Sequence, residues 1–268
     1  MSTKQKTSGG FTSLMASIAI VISLVIGIVV YKYVFGDPGN FVDNDPNGEP
    51  LEGNFMGIIY KGGIIVPVLV AMNIIVIIFS IERFITLSRA KGRGSIDKFV
   101  EKIRVMLENK QVHEAIEACD RQRGSLANVV RAGLEKYEHI GNDTTMTKEQ
   151  KVETLKKELE EATSLELPML SKNLGVLSTS ASVATLIGLI GTVLGMIRAF
   201  AAMSHGTPDT SALATGISEA LINTAFGIFA STMAIILYNF FSTKIDAMTY
   251  SMDEAGFSIV QDFTAKHK

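Results

Sequence analysis

The sequence predicts an all-α, polytopic transmembrane fold whose long helices run on into a cytoplasmic helical domain, and three observations carry that prediction. Of the 268 residues, 47% are hydrophobic and only 19% charged, with a mean hydropathy of +0.29, an imbalance foreign to most soluble domains. The apolar residues gather in four stretches, 14–35, 62–81, 173–197 and 212–243, each long enough for the roughly 20 helical residues that cross a bilayer core of about 30 Å. Between the second and third stretches lies a long charged segment with helical periodicity. Backbone groups inside hydrocarbon must be satisfied within their own segment, so the four stretches are helices.

The elements follow in order. Residues 1–13 form a short N-terminus with Lys4 and Lys6, and 14–35 form a first span. A basic start before an apolar run also fits a signal peptide. The run is long for one, however, and "YKYVFGDPGN" follows without a small-residue cleavage site, so it reads as an uncleaved helix. Residues 36–60 make an acidic loop with Asp37, Asp43, Asp45, Glu49 and Glu52 and no Lys or Arg. A second span covers 62–85, and Arg83, Arg89, Lys91, Arg93, Lys98, Lys102 and Arg104 crowd its end. This asymmetry places both termini and residues 86–170 in the cytoplasm, with the acidic loop and the connector "SHGTPDTS" facing outward.

Within 86–170, "SIDKFVEKIRVML" sets Ile96, Phe99, Val100 and Ile103 at helical spacing after Ser95 as N-cap. "QVHEAIEAC" and "SLANVVRAGLEKY" continue in the same style. A break at "HIGNDTTMTKEQ" precedes the charged helix "KVETLKKELEEATSLEL", which is expected to continue into the third span, 171–203, with Pro168 as a kink. The fourth span is expected over 212–242, with Thr207 as N-cap and Pro208 in its first turn, and a C-terminal cytoplasmic helix over 243–268.

Catalytic signatures are absent. His113, His139, His205 and His267 are scattered, no zinc-protease or Walker sequence occurs, and lone Cys119 fits a small buried helix residue better than a nucleophile. The sequence therefore leads us to expect no enzyme, no resident metal and no cofactor. A protein of this kind that performs work draws its energy from elsewhere.

The third and fourth spans carry the chemistry. Gly188, Gly191 and Gly195 form a smooth stripe on one helix face, and with Gly227 they are expected to pack helices closely. Ser178, Thr185 and Thr192 stack on another face at two-turn spacing, and Thr224 and Ser231 repeat that spacing. A membrane threonine commonly bonds its own i−4 carbonyl. Two aligned hydroxyl stripes also fit the lining of a narrow polar path. Glu219 is a carboxylate in a span otherwise uncharged as far as Thr243. At membrane depth it is costly and marks function, whereas near the surface it is an ordinary solvated residue. Asn223, one turn on, is placed to hydrogen-bond with it. Composition and spacing lead to an oligomeric membrane protein whose hydroxyl stripes fit either a polar conduction path or ordinary helix bonding, and no further.

"GLIGTVLGMIRAF" (188–200), "GISEALINTAFGIFAS" (216–231) and "YNFF" (238–241) resemble the MotA/TolQ/ExbB proton channel family, closest to its ExbB branch. Weaker likeness covers "GGIIVPVLVAMNIIVIIFSIERFI" (62–85) and "AIEACDRQRGSLANVVRAGL" (115–134). The span at 14–35 and the acidic loop fall outside the usual three-span pattern. Four spans suit the flagellar MotA branch, while the motif wording suits ExbB and TolQ. Thr185 stands where a Pro usually precedes the Gly motif, and "ASTMAI" lacks the Pro often found late in the last span.

The resemblance implies an inner-membrane motor component: a homopentamer whose third and fourth spans surround a pore holding two copies of an ExbD-like single-span partner, with protons as the transported ion. It implies a TonB-like energy transducer as a further partner, and no nucleic acid. Matched motif by motif, the family's pore-facing threonines fall on Thr192 and Thr224 and its glutamate on Glu219; the readings open for that carboxylate are orienting a helix contact or the outer mouth and relaying protons, the first being the expectation. The competing readings are a TolQ- or MotA-like machine and a non-conducting membrane scaffold.

Overall fold

The computed structural model describes residues 8–203 and 209–266, with side chains from residue 17 onward. Among the described residues the chain is helical without strands, apart from one antiparallel bridge between Phe41 and Pro50. The helices are α1 (Ser8–Val30), α2 (Phe55–Tyr60), α3 (Val66–Ala90), α4 (Ile96–Glu108), α5 (Val112–Gln122), α6 (Ser125–Gly141), α7 (Lys148–Ser171), α8 (Leu174–Met203) and α9 (Thr210–Lys266). Four stretches, Ser17–Phe35, Gly63–Ala90, Lys148–Met203 (α7 followed by α8) and Thr210–Lys266, contain helix long and apolar enough to cross a membrane. The expected caps Thr207 and Pro208, and most of the "SHGTPDTS" connector, lie outside the described residues.

Chain contacts separate two units. The first combines Met1–Ile81 with Gly175–Tyr238, and the second combines Glu82–Leu174 with Asn239–Lys268. In the first unit α1 turns its apolar residues outward, Val21 and Val25 among them, and buries Ser23 and Gly27. A Cβ on Gly27 would press on the Pro67 carbonyl and on Ala71, so this glycine lets α1 lie against the backbone of α3. After Val30 the helix widens into a π-helical turn, Tyr31–Phe35, a form that concentrates at functional positions.

The acidic loop is folded rather than loose. Asn40 Nδ2 donates to the Val34 and Phe35 carbonyls, and Asn54 Nδ2 donates to Asn40 Oδ1 at 3.0 Å. Lys61 Nζ donates to the Pro46 and Asn47 carbonyls, so an ammonium group gathers the loop's far end. Burial pushes the Lys61 ammonium below its usual range, with Asp45 opposing the shift. Tyr31 stacks on Tyr60 at 4.7 Å between centroids and donates its hydroxyl to the Tyr60 carbonyl, while Phe41 meets Tyr60 edge-on. Gly63, at φ +78°, then makes the turn into α3.

The second unit packs α4, α5, α6 and α7 with the last part of α9. Met248, Met252, Ala255, Ile259 and Phe263 form a buried stripe on α9 at three- and four-residue spacing. Phe99, Ile103 and Leu107 of α4, Val130, Leu134 and Tyr137 of α6, and Leu155 and Leu159 of α7 complete this core. Tyr137 donates to Asp262 Oδ2 at 2.9 Å and sets its ring edge-on to Phe263, and Lys266 pairs with Asp262 and reaches the Leu107 carbonyl. Cys119 is buried, its thiol directed at the Ala115 carbonyl.

Two local expectations are corrected. The charged helix begins at Lys148, because Thr147 and Gln150 form a reciprocal capping box that satisfies two free amides. It passes through Pro168 but does not run on into α8: Lys172 leaves helical geometry and Asn173 takes φ +58°, a left-handed value that Asn tolerates better than most residues. The expected N-cap of α4 is found at Ser95, whose side chain makes no capping bond.

Candidate functional site

Helices α8 and α9 meet along their small residues. A Cβ on Gly188 would strike the Asn223 carbonyl and the Gly227 Cα, one on Gly227 would strike the Ala184 carbonyl and the Gly188 Cα, and one on Gly195 would strike Gly216 and Ala220. Gly191 faces the Asn223 side chain in the same way. The two backbones can approach this closely only where both helices present hydrogen in place of a side chain.

That approach brings the Thr192 and Thr224 hydroxyls into direct contact. Each also lies 3.1 Å from the carbonyl one turn back, Gly188 for Thr192 and Ala220 for Thr224, so these contacts compete for the one proton each hydroxyl carries. Thr192 Oγ1 lies 3.4 Å from the Ala220 carbonyl as well, so one acceptor serves both threonines. A hydroxyl donates once and accepts twice, so a touching pair can pass a hydrogen bond from one helix to the other.

Ser178, Thr185 and Ser231 do not join this contact. They line a separate groove of about 520 Å³, together with Ala181, Ser182, Leu186, Ile235 and Tyr238. Thr185 Oγ1 reaches the Ala181 carbonyl at 3.4 Å, and Ser231 is buried. Ser182 and Tyr238 extend the polar lining beyond the residues singled out from sequence. Their signal was present, since Ser182 lies one turn after Ser178 and Tyr238 two turns after Ser231.

Glu219 is only 3% exposed. One guanidinium nitrogen of Arg198, Nη1, donates to both of its oxygens, at 2.5 Å to Oε1 and 2.7 Å to Oε2. The expected Asn223 partnership is corrected: Asn223 Nδ2 donates instead to the Gly62 carbonyl at 2.9 Å, and its Oδ1 meets no donor among the described residues. Gly62 and Gly63 thus seat the turn entering α3 against α9 beside the carboxylate. Glu219 is therefore enclosed by protein at the level of that turn. At the start of α9, Asp209 Oδ1 accepts from the Ser211 and Ala212 amides and caps the helix.

Arg198 went unnoticed in the sequence, yet it is the single basic residue between Asn173 and Met203. An isolated cation in one span and an isolated carboxylate in the next are a pairing signal. Among the described residues, no three His, Cys, Asp or Glu side chains gather as metal ligands would.

Residues 121–254, half of the chain, match the model of the MotA/TolQ/ExbB proton channel family. The chain is similar to the Tol-Pal system protein TolQ of Haemophilus influenzae, at 28% identity over 205 residues, covering 73% of this chain and 87% of that protein. It is similar to the biopolymer transport protein ExbB of Pseudomonas putida, at 30% identity over 176 residues, covering 64% of this chain and 53% of that one. TolQ of Pseudomonas aeruginosa matches at 27% over 158 residues, covering 59% and 68%.

Proposed function

Because the chain belongs to the MotA/TolQ/ExbB proton channel family, we propose that it is an ExbB-like subunit of an inner-membrane motor that converts proton-motive force into mechanical work. In this reading α8 and α9 of five copies surround a pore that holds two ExbD-like single-span partners, and the work energises TonB-dependent import across an outer membrane. Both termini and the second helical unit lie in the cytoplasm, as the clustering of Arg and Lys after the second span supports.

The observation that carries this reading is the contact between Thr192 and Thr224 across a glycine-packed helix pair. Protons reach a membrane Asp of the partner along a path lined by these hydroxyls, with the groove at Ser178, Thr185 and Ser231 as its continuation. Neutralising that Asp removes the cost of moving a charge past apolar helices, and the partner pair steps relative to the ring. Each charge crossing 100 mV releases about 2.3 kcal/mol, so sizeable work takes several protons. Glu219 orients the helix contact at the outer mouth.

Replacing Thr192 or Thr224 with Val tests the path through import driven by proton-motive force. Import is expected to fall about tenfold or more while the complex still assembles, the loss typical of removing a proton-transfer group. Normal import by an assembled variant contradicts the path and favours a scaffold. A Tol-type output is the second reading, supported by the TolQ alignment that covers 87% of its relative. Deleting the gene separates the two, since the first predicts lost import and the second a leaky envelope with import intact.

A further inference from the structure

We propose that Arg198 is a positioning residue, which holds Glu219 as an ion-paired brace at the loop end of α8 and α9 and so keeps the Thr192–Thr224 contact in register. The inference rests on the proton-path reading above and assigns Glu219 a role beside the path, outside the relay itself.

Three observations carry it. First, both oxygens of Glu219 are taken by the same Arg198 nitrogen, a charge-assisted arrangement. Glu219 makes no described hydrogen bond to Thr192 or Thr224, whose hydroxyls lie against each other and against the carbonyls of Gly188 and Ala220. Both carboxylate oxygens are thus committed to Arg198, which fits a brace.

Second, the pair stands where several elements meet. Arg198 comes from α8 and Glu219 from α9, while Gly63 of the turn before α3 sits so close that a Cβ would collide with the carboxylate. Tyr31, from the π-helical turn after α1, lies within electrostatic reach of both charges. The end of the first span, which falls outside the usual family pattern, and the turn into α3 thus converge on this ion pair.

Third, the two partners differ in exposure. The Glu219 side chain is 4% exposed and that of Arg198 is 54% exposed. Removing Arg198 strands a buried carboxylate, whereas neutralising Glu219 leaves a guanidinium that already reaches out of the protein. A brace predicts that the two losses are unequal and that the second repairs the first. A relay predicts that neutral Glu219 is the severe lesion, with or without Arg198.

The test uses the full-length chain, copurified with the single-span, Asp-bearing partner from its own genome and reconstituted into liposomes loaded with a pH-sensitive dye. Proton flux is read per assembled complex. Arg198→Gln is expected to lower flux about tenfold, and Glu219→Gln and the double variant each only about threefold, since the double variant holds no stranded charge. Arg198→Lys, which restores the cation, is expected to recover flux to within about twofold of the parent. Should Arg198→Gln fail to assemble, the ranking of Arg198→Lys, Glu219→Gln and the double variant decides. The brace is overturned if Glu219→Gln is the most severe change, if the double variant is no better than Arg198→Gln, or if Arg198→Gln conducts like the parent. Thr192→Val in the same liposomes keeps the two failures apart: unchanged flux there removes the path itself, and blocked flux with the wrong ranking removes only the brace.

Discussion

Arg83 is completely buried at the end of a helix that begins as a membrane span. Its Nε and Nη2 bind the neighbouring Glu82 at 2.7 and 2.6 Å, and its Nη1 donates to the Leu170 carbonyl near the end of α7 at 3.1 Å. Glu82 in turn accepts from Thr86 and Asn173. In the sequence Arg83 counts only as one more basic residue setting orientation, because the pattern of a helix gives no sign of which distant carbonyl needs a donor. Arg83→Met is expected to cost about 2–3 kcal/mol, the penalty of a buried acceptor left without its donor. Thermal melting of the detergent-purified protein measures this, and an unchanged midpoint contradicts it. Cys119 gives a second residue-scale prediction. Burial first, and the Asp120 carboxylate next, push its thiol from 9.0 up to about 12. The unfolded thiol ionises near 9.0 while the folded one stays protonated, so stability is intact below that pH and is lost as pH rises toward about 12. The slope is at most about 1.4 kcal/mol per pH unit for one group. Tyr137, raised from 10.0 by burial and by Asp262, adds a similar loss at higher pH. Melting followed across this range should show that Cys119→Ala removes the early part of the decline. Identical curves for parent and variant would refute the assignment.

Helix pairs show why small residues were legible and single bonds were not. The stripe of Gly188, Gly191 and Gly195 is visible in sequence because helical periodicity fixes which residues share a face. The register that sets Gly188 on Gly227 and Thr192 against Thr224 depends on the partner helix, and a hydropathy pattern carries no information about it. Gly188→Val is therefore expected to force the backbones apart, with an overpacking cost of about 1–3 kcal/mol. Lower melting together with lost conduction is the predicted pair of readouts, and a variant that conducts normally contradicts the packing. The join of α7 to α8 was misread for a different reason. No Gly marks the break, and Asn173 adopts the left-handed conformation in its place. Asn173→Val is expected to destabilise the join by about 1–2 kcal/mol, since a β-branched side chain resists positive φ. Proteolysis at the join faster than in the parent is the measurement, and equal rates argue against a strained turn. The capping box at Thr147 and Gln150 is written in "TKEQ", a Thr followed three residues later by Gln.

At the scale of the chain, hydropathy alone marks four spans, and the helices that carry them match that expectation. What hydropathy does not mark is where a helix stops. From Gly227 to Gly256 the sequence contains no other Gly and no Pro, so α9 runs without interruption from a glycine-packed apolar stretch into the amphipathic stripe of Met248 to Phe263. Its residues are shared between the two units, and so are those of α3. Glu219 looked like the informative oddity because charge in an apolar run is conspicuous. The threonine pair is quieter in sequence and more telling in structure, since it places two proton-competent groups in contact between helices. The central claim is that this pair lies on the proton path, and the most direct measurement is dye-reported proton flux through liposomes holding the chain with its single-span partner. Thr224→Val should lower flux per assembled complex about tenfold or more, and Thr224→Ser, which keeps the hydroxyl, should retain most of it. Flux through Thr224→Val equal to that of the parent would contradict the account.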